Sequence, residues 1–258
     1  MKVVSLASGS AGNAYCVESE GSVLLIDCGL SCRELLKRSR AAGIDLGAVV
    51  AAVFTHSHDD HIKGVAKFHD CFPGAGLFAN AMTADSIAAS AGVDETDFSI
   101  FENGQDFEVG PFDIKPFAIP HDTSDPVGFL VADGDCRYFH ATDIGTPLES
   151  IGANLSEADI ATLESNHDAV LLRRSGRHPS LIQRIAGPRG HLSNDQACEL
   201  VRRFASPKLK ALALAHLSRD CNVPRIAEEA MRSTLMEMGR PDVVLKVLSQ
   251  DETIEVES

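Results

Sequence analysis

Val49-Val50-Ala51-Ala52-Val53-Phe54-Thr55-His56-Ser57-His58-Asp59-Asp60-His61 is the stretch on which the reading of this chain turns. Its first six residues are an unbroken apolar run, the pattern of a buried strand. Its last six hold three histidines and two aspartates. Neutral imidazole and carboxylate are preferred ligands of zinc and related divalent ions. A strand that stops at such a run aims its histidines into one concave site. The whole chain has only ten histidines, so three in six positions are a cluster and not scatter.

Outward from this stretch, the chain reads as short strands and helices. Residues 3–7, 14–18 and 23–26 are predicted strands separated by Gly/Ser/Asn turns. The turn Ser8-Gly9-Ser10-Ala11-Gly12-Asn13 has neither a Walker lysine nor the G-x-G-x-x-G spacing, which argues against a phosphate-binding loop. Ser31, with Glu34 three residues on, predicts a capping box opening a helix to about 42, stopped by Gly43. After the strand 49–55 comes a predicted helix over 62–69, then a strand–helix pair at 76–79 and 83–91. Strands are expected at 98–101, 106–109, 112–119, 127–132 and 136–141. The last third alternates strands (160–164, 209–215, 243–248, 253–256) with helices (179–186, 194–204, 224–238). Two mixed sheets facing each other with helices outside would bury both faces of each sheet.

With 258 residues, 44% of them hydrophobic, and no internal repeat or linker, the chain is expected to form one domain over residues 1–258. It shows no membrane-length apolar run and no secretory leader, which predicts a cytoplasmic protein with no membrane partner. Seven cysteines, with no Cys-x-x-Cys pair, argue against a disulfide framework. Cys28 and Cys32 fall four apart; as free cysteines they are expected to be small buried hydrophobes before they are a metal site. The formal charge of −14 argues against general adhesion to nucleic acid or anionic lipid. Residues 170–210, however, carry nine Lys/Arg against Asp195 and Glu199. A basic face on an acidic body suits an enzyme that reads phosphate, and equally a solvated helix surface.

Two ions need more donors than the histidine run supplies. His56 and His58 can converge on one, and Asp60 and His61 on a second. Three further candidates each follow an apolar strand: His121, Asp143 and His216. A carboxylate such as Asp143 can bridge two cations roughly 3.5–4 Å apart, opposite a shared hydroxide. The donor set does not choose between zinc, manganese and iron.

His-x-His-x-Asp-His, preceded by Asp27 after Leu24-Leu25-Ile26 and followed by isolated His, Asp and His, resembles the metallo-β-lactamase superfamily. Five further motifs resemble its YycJ/WalJ-like branch: residues 8–13, His121-Asp122 with 125–129, Glu164-Ser165-Asn166-His167-Asp168, Gly190-His191-Leu192-Ser193-Asn194, and His216-Leu217-Ser218. The segment Asp220-Cys221-Asn222 departs from the Asn-Asn associated with that branch. The resemblance implies an α/β fold, an αββα sandwich, with a dinuclear metal site. By that analogy His56, His58 and His121 hold one metal, Asp60, His61 and His216 the other, and Asp143 bridges. Asp27 would orient ligands and water. In related tRNA-processing nucleases a histidine in a Gly-His-Thr/Ser context protonates the leaving oxygen, which implies that role for His191. Asp60, His191 and Asp27 are thus the expected catalytic set.

Asn166, His167, Arg173 and Arg174 are the expected substrate contacts. The resemblance implies a nucleic-acid phosphodiesterase, a DNA 5′→3′ exonuclease. Small cyclic or nucleotide phosphates are the alternative substrates. A glyoxalase-type thioesterase or lactonase would use the same metals without needing the proton donor. A scaffold with a degenerate site is disfavoured, because all seven ligands are present. Oligomeric state is not legible.

Overall fold

The computed structural model describes residues 1–134 and 136–256. In chain order the strands and helices are β1 (Lys2–Ala7), β2 (Ala14–Ser19), β3 (Ser22–Ile26), α1 (Cys32–Ala41), β4 (Val49–Val53), α2 (Asp59–Ile62), α3 (Val65–Cys71), β5 (Gly76–Ala79), α4 (Ala81–Ala91), β6 (Phe98–Ile100), β7 (Phe107–Val109), β8 (Phe112–Ala118), β9 (Val127–Ala132) and β10 (Arg137–Ala141). They continue with α5 (Glu149–Leu155), β11 (Ile160–Glu164), α6 (Ala169–Arg174), α7 (Pro179–Ile185), α8 (Asn194–Phe204), β12 (Ala211–Ala215), α9 (Pro224–Glu237), β13 (Val244–Val247) and β14 (Ile254–Val256).

Among the described residues these strands form two seven-stranded sheets, ordered β14-β1-β2-β3-β4-β5-β6 and β13-β12-β11-β10-β9-β8-β7. Each is antiparallel in one half and parallel in the other; β3 to β6 and β10 to β13 are the parallel runs. The two-residue period of the strands sorts side chains into three apolar layers. Along β3, Val23 and Leu25 pack outward with Leu35 and Phe68, while Leu24 and Ile26 face the other sheet. Along β12, Leu212 and Leu214 pack on α8 and α9, and Ala211, Ala213 and Ala215 line the interior. The small alanines let the second sheet approach the bulkier inner face of the first. The layer order is αββα, as expected.

Differences from the sequence reading have local causes. Ser31 caps α1 by accepting from the Glu34 N–H at 3.3 Å, but the Glu34 carboxylate turns to Arg38 instead of closing the box. The helix expected over 62–69 is two helices broken at Lys63–Gly64. A Cβ on Gly64 would lie 1.9 Å from the Leu30 carbonyl oxygen, so only glycine lets α3 pack there. Helices α5 and α6 were not expected; α6 is capped by Asp168, whose carboxylate accepts from the N–H groups of Val170 and Leu171. No described helix is long and apolar enough to cross a membrane.

Strands β3, β4, β8, β10, β11 and β12 all end at one edge of the sandwich, and the loops there carry the histidines and carboxylates singled out above. Asp27, Asp143 and His216 follow these ends with φ of 60°, 60° and 55°. Left-handed backbone at a non-glycine residue costs about 1–3 kcal/mol and gathers at functional sites.

Candidate metal centre

The first wall of the site comes from sheet one. Asp27 is fully buried. Its carboxylate accepts from the Thr55 N–H at 2.9 Å and from the Thr55 hydroxyl at 2.8 Å, and it faces His61 Nδ1 at 2.6 Å. Nδ1 must therefore carry the proton, which leaves His61 Nε2 an acceptor toward the centre, with the Asn13 amide nitrogen 3.0 Å away. The Thr55 hydroxyl, its proton given to Asp27, can accept from His56 Nδ1 at 3.0 Å. His56 Nε2 is then an acceptor too, 3.2 Å from His58 Nδ1. Asn13 closes this wall, donating from Nδ2 to Asp60 Oδ2 at 3.1 Å, while its backbone N–H donates to the Asp60 carbonyl at 2.7 Å. The loop 8–13 thus braces Asp60. A Cβ on Gly29 would sit 1.7 Å from the Asp60 carbonyl oxygen, so glycine is required there.

The second wall comes from sheet two. His121 Nδ1 donates to the Gly190 carbonyl at 3.0 Å, leaving its Nε2 3.6 Å from Asp143 Oδ1. Asp143 is buried in the middle: Oδ2 lies 3.3 Å from His61 Nε2, and Oδ1 lies 3.6 Å from His216. His216 Nε2 faces Asp60 Oδ2 at 3.4 Å. Glu164, at the end of β11, is fully buried. Its Oε2 accepts from the N–H groups of Ile144 and Leu192 at 2.8 and 2.9 Å. Its Oε1 faces His191 Nδ1 at 2.8 Å and His216 Nδ1 at 3.3 Å.

Four overlapping donor groups result: His56/His58/His121, His56/His61/Asp143, Asp60/His61/His216 and Asp143/Glu164/His191/His216, with the atoms of each within 4.8 Å of one another. All seven side chains expected as ligands are brought together. The donor chemistry fits divalent metal. Imidazole nitrogens of His56, His58, His61, His121 and His216 converge on one spot, and Asp143 Oδ2 is buried without a hydrogen-bond partner. Such an orphaned carboxylate oxygen is costly unless a cation meets it. Electrostatics agree. Burial alone pushes His216 down, yet Asp143, Asp60 and Glu164 around it raise its pKa to about 10. Burial likewise opposes protonation of His61, and Asp27, Asp60 and Asp143 outweigh it, raising it well above the ordinary range. His56 and His121, dominated by burial, are pushed down. The centre therefore attracts positive charge, which protons supply where metal does not.

The centre opens on a cavity of about 290 Å³ lined by His58, Asp60, His121, Asp143, His191 and His216, with Asn166 and Ser218 beside them. Helix α7 forms the far wall through Leu181, Arg184 and Ile185, with Arg177 just before it. Arg184 pairs with Asp122 at 2.6 Å and Arg177 with Asp220 at 2.7 Å.

Not every expected contact reaches this cavity. Asn166 does, and its amide donates to the His216 carbonyl at 2.8 Å. His167 is buried outside it, bridging to Ser193. Arg173 and Arg174 sit exposed in the last turn of α6 and do not line it. The basic window is also not one face: Arg202 pairs with Glu199 and Glu237, and Arg203 with Glu149, on the outer helices. Glu164, Asn13 and Thr55 were missed as site residues. Glu164 stood at a predicted strand end and inside a quoted motif, the same signal that marked Asp143 and His216.

Residues 23–216 match the β-lactamase superfamily domain. The chain is 33% identical over 236 residues to Exodeoxyribonuclease WalJ of Streptococcus pneumoniae serotype 2, covering 89% of this chain and 86% of that protein. It is 31% identical over 239 residues to Exodeoxyribonuclease YycJ of Bacillus anthracis, covering 91% and 89%. Among solved structures, Zn²⁺-bound PqqB from Methylobacterium extorquens superposes with a TM-score of 0.72 at 15% identity, over 98% of this chain and 99% of that one. Human tRNase Z, short form, gives 0.66 at 16%, over 100% of both; at such identities these two show the shared fold. On the family match and the two exodeoxyribonuclease relatives, the chain belongs to the metallo-β-lactamase superfamily of metal-dependent hydrolases, as a YycJ/WalJ-like member.

Proposed function

We propose that the chain is a dinuclear metal-dependent phosphodiesterase that degrades DNA from 5′ ends, with His191 as the proton donor. One observation carries the chemistry: an imidazole at the cavity, 2.8 Å from the buried Glu164 carboxylate, beside a seven-donor centre. The choice of DNA rests on the likeness to WalJ and YycJ over about nine-tenths of the chain.

His56, His58 and His121 would hold one divalent ion and Asp60, His61 and His216 the other, with Asp143 between them. Zinc, manganese and iron all suit this His/Asp set. When bound, such a pair supplies Lewis acidity and a water of lowered pKa. The remaining tasks fall to the protein. Asp27 and the Gly190 carbonyl hold His61 and His121 in the tautomer that presents Nε2. Asp60, steadied by Asn13, is the carboxylate assigned to the attacking water. Glu164 accepts from His191 Nδ1, so the proton available to substrate is on Nε2. Burial pushes the Glu164 carboxyl up, but His191 and His216 outweigh it and bring it to about 2, so it stays anionic. Burial opposes charge on His191 as well, and Glu164 and Asp143 raise its pKa. Both carboxylates thus favour the charged form of His191, the form that can protonate the departing 3′ oxygen. Arg177 and Arg184 face the flanking phosphates, exchanging their carboxylate partners for substrate.

The test is hydrolysis of linear duplex DNA labelled at either end by metal-reconstituted protein, with closed circular DNA alongside. Early release of the 5′ label and a resistant circle are expected. Nicking of the circle, or hydrolysis of only cyclic nucleotides or a thioester, would replace this reading.

A further inference from the structure

A pair of thiols lies outside the metal centre and takes no part in its chemistry. Cys32 is the first residue of α1 and Cys71 the last of α3. The two sulfurs are 3.0 Å apart, and no other cysteine pair among the described residues is in such contact. A disulfide holds its sulfurs at about 2.05 Å, so an approach of roughly 1 Å closes the bond. The environments of the two differ. Cys71 is exposed, whereas Cys32 is 8% exposed and packed at the start of α1. The other candidates are worse placed: Cys16, Cys28, Cys198 and Cys221 are buried without a sulfur partner among the described residues. Cys28, four residues before Cys32, points into the outer apolar layer with Leu35 and Phe68.

We infer that Cys32 and Cys71 form a reversible thiol–disulfide site, with Cys71 meeting a low-molecular-weight disulfide oxidant and Cys32 resolving the adduct. The Cys71 thiolate attacks one sulfur of the oxidant and displaces its partner as a thiolate. The Cys32 sulfur then loses its proton and attacks Cys71, forming the intramolecular bond and expelling the second small thiol. Two electrons leave the two cysteines and reduce the oxidant to two thiols, which balances the exchange. Burial and the adjoining Cys71 raise the Cys32 thiol to about 11, so it is a poor first nucleophile and acts only on a sulfur already in contact. The bond would join α1 to α3. Between these helices lies the whole segment that carries His56, His58, Asp60 and His61, and the backbone already knits their approaches together: Cys28 N–H donates to the His61 carbonyl and Gly64 N–H to the Cys28 carbonyl. The site thus ties down the segment that presents four ligands without touching any of them.

The experiment uses the full chain, reduced and then exposed to oxidised glutathione. Free thiols are counted under denaturing conditions, and unreduced chymotryptic peptides are mapped by tandem mass spectrometry. Cuts after Leu30, Phe68 and Phe78 part Cys28 from Cys32 and Cys71 from Cys136. The count is expected to fall from seven to five, with one peptide pair joined through residues 32 and 71 and both thiols regained with dithiothreitol. Cys32→Ser should trap a single glutathione on Cys71, and Cys71→Ser should keep its six thiols free. The oxidised protein should keep its circular dichroism and melt at higher temperature, as a cross-link closing a long loop requires. A count that stays at seven, a link through Cys28 or Cys136, or glutathione on both cysteines would overturn the inference.

Discussion

The two walls of the metal centre solve one problem with different parts. On sheet one, Asp27 is buried and binds the Thr55 N–H, the Thr55 hydroxyl and His61, a ligand, while the Thr55 hydroxyl in turn accepts from His56. On sheet two, Glu164 is equally buried and also satisfied by two groups of the surrounding chain, but its free oxygen is shared between His216, a ligand, and His191, at the cavity. On the proposed assignment, the first carboxylate serves ligand geometry alone, and the second couples ligand geometry to proton donation. A shared brace means that one substitution on sheet two should disturb two functions, where its counterpart on sheet one disturbs one.

The sharpest way to break the comparison is to remove what the walls have in common. Asp143→Ala deletes the carboxylate between them and should lower nuclease activity by more than about a hundredfold, beyond what a bracing residue costs. Metal content by plasma mass spectrometry should fall in parallel, and retention of both metal and activity would disconnect Asp143 from the centre. Next in size is His191→Ala, expected to slow cleavage of an alkyl phosphodiester by about 10²–10⁴ and that of a p-nitrophenyl ester far less. Equal losses on both would remove the proton-donor role.

The two braces can then be set against each other. Asp27→Asn and Glu164→Gln should each cost about 10–100-fold. Excess metal should restore Asp27→Asn, because only affinity was lost, whereas Glu164→Gln should keep a low kcat at saturating metal. Identical rescue of both would erase the distinction between the walls. A smaller effect is expected at the arginines. Arg177→Ala and Arg184→Ala should each reduce the salt dependence of DNA binding by about one unit of log–log slope, and Arg173→Ala with Arg174→Ala by less.

A separate effect, on stability and not on activity, completes the set. The metal-free His216, raised to about 10, binds a proton more tightly folded than unfolded. A raised histidine stabilises fully below the unfolded value near 6.5 and loses that contribution as pH climbs through the folded value. Chelated protein should therefore melt progressively lower between roughly pH 6.5 and 10. Loaded protein, whose imidazoles hold metal in place of protons, should show a flatter trend in the same melting series.

The same contrast governs what the sequence could reveal. The proposed ligands of sheet one lie in six consecutive positions after an apolar strand, so local pattern alone discloses them. Those of sheet two are single residues at the ends of separate strands, legible only once the strand-end rule is applied to each. Glu164 met that rule and still escaped, because its role depends on His191, 27 positions away. Asn13 escaped because the glycine-rich turn around it was weighed as a phosphate loop and as a family motif, neither of which says what its side chain touches. The left-handed backbone at Asp27, Asp143 and His216 has only a weak sequence signature, the tolerance of Asp and His for that region. The basic window misled because it folds into separate elements. Arg202 and Arg203 spend their charge on outer-helix carboxylates, and only the arm around α7 turns toward the cavity. The strands and the αββα layering, by contrast, were readable, whereas the face each residue of the wholly apolar β12 takes is settled only by the two sheets that bury it.

The central claim is that seven side chains from both sheets hold two cations about a shared Asp143. Anomalous diffraction from crystals of manganese-reconstituted protein addresses it most directly. The account predicts two peaks roughly 3.5–4 Å apart, one on either side of the Asp143 carboxylate. A single peak, or two peaks away from Asp143, would contradict it.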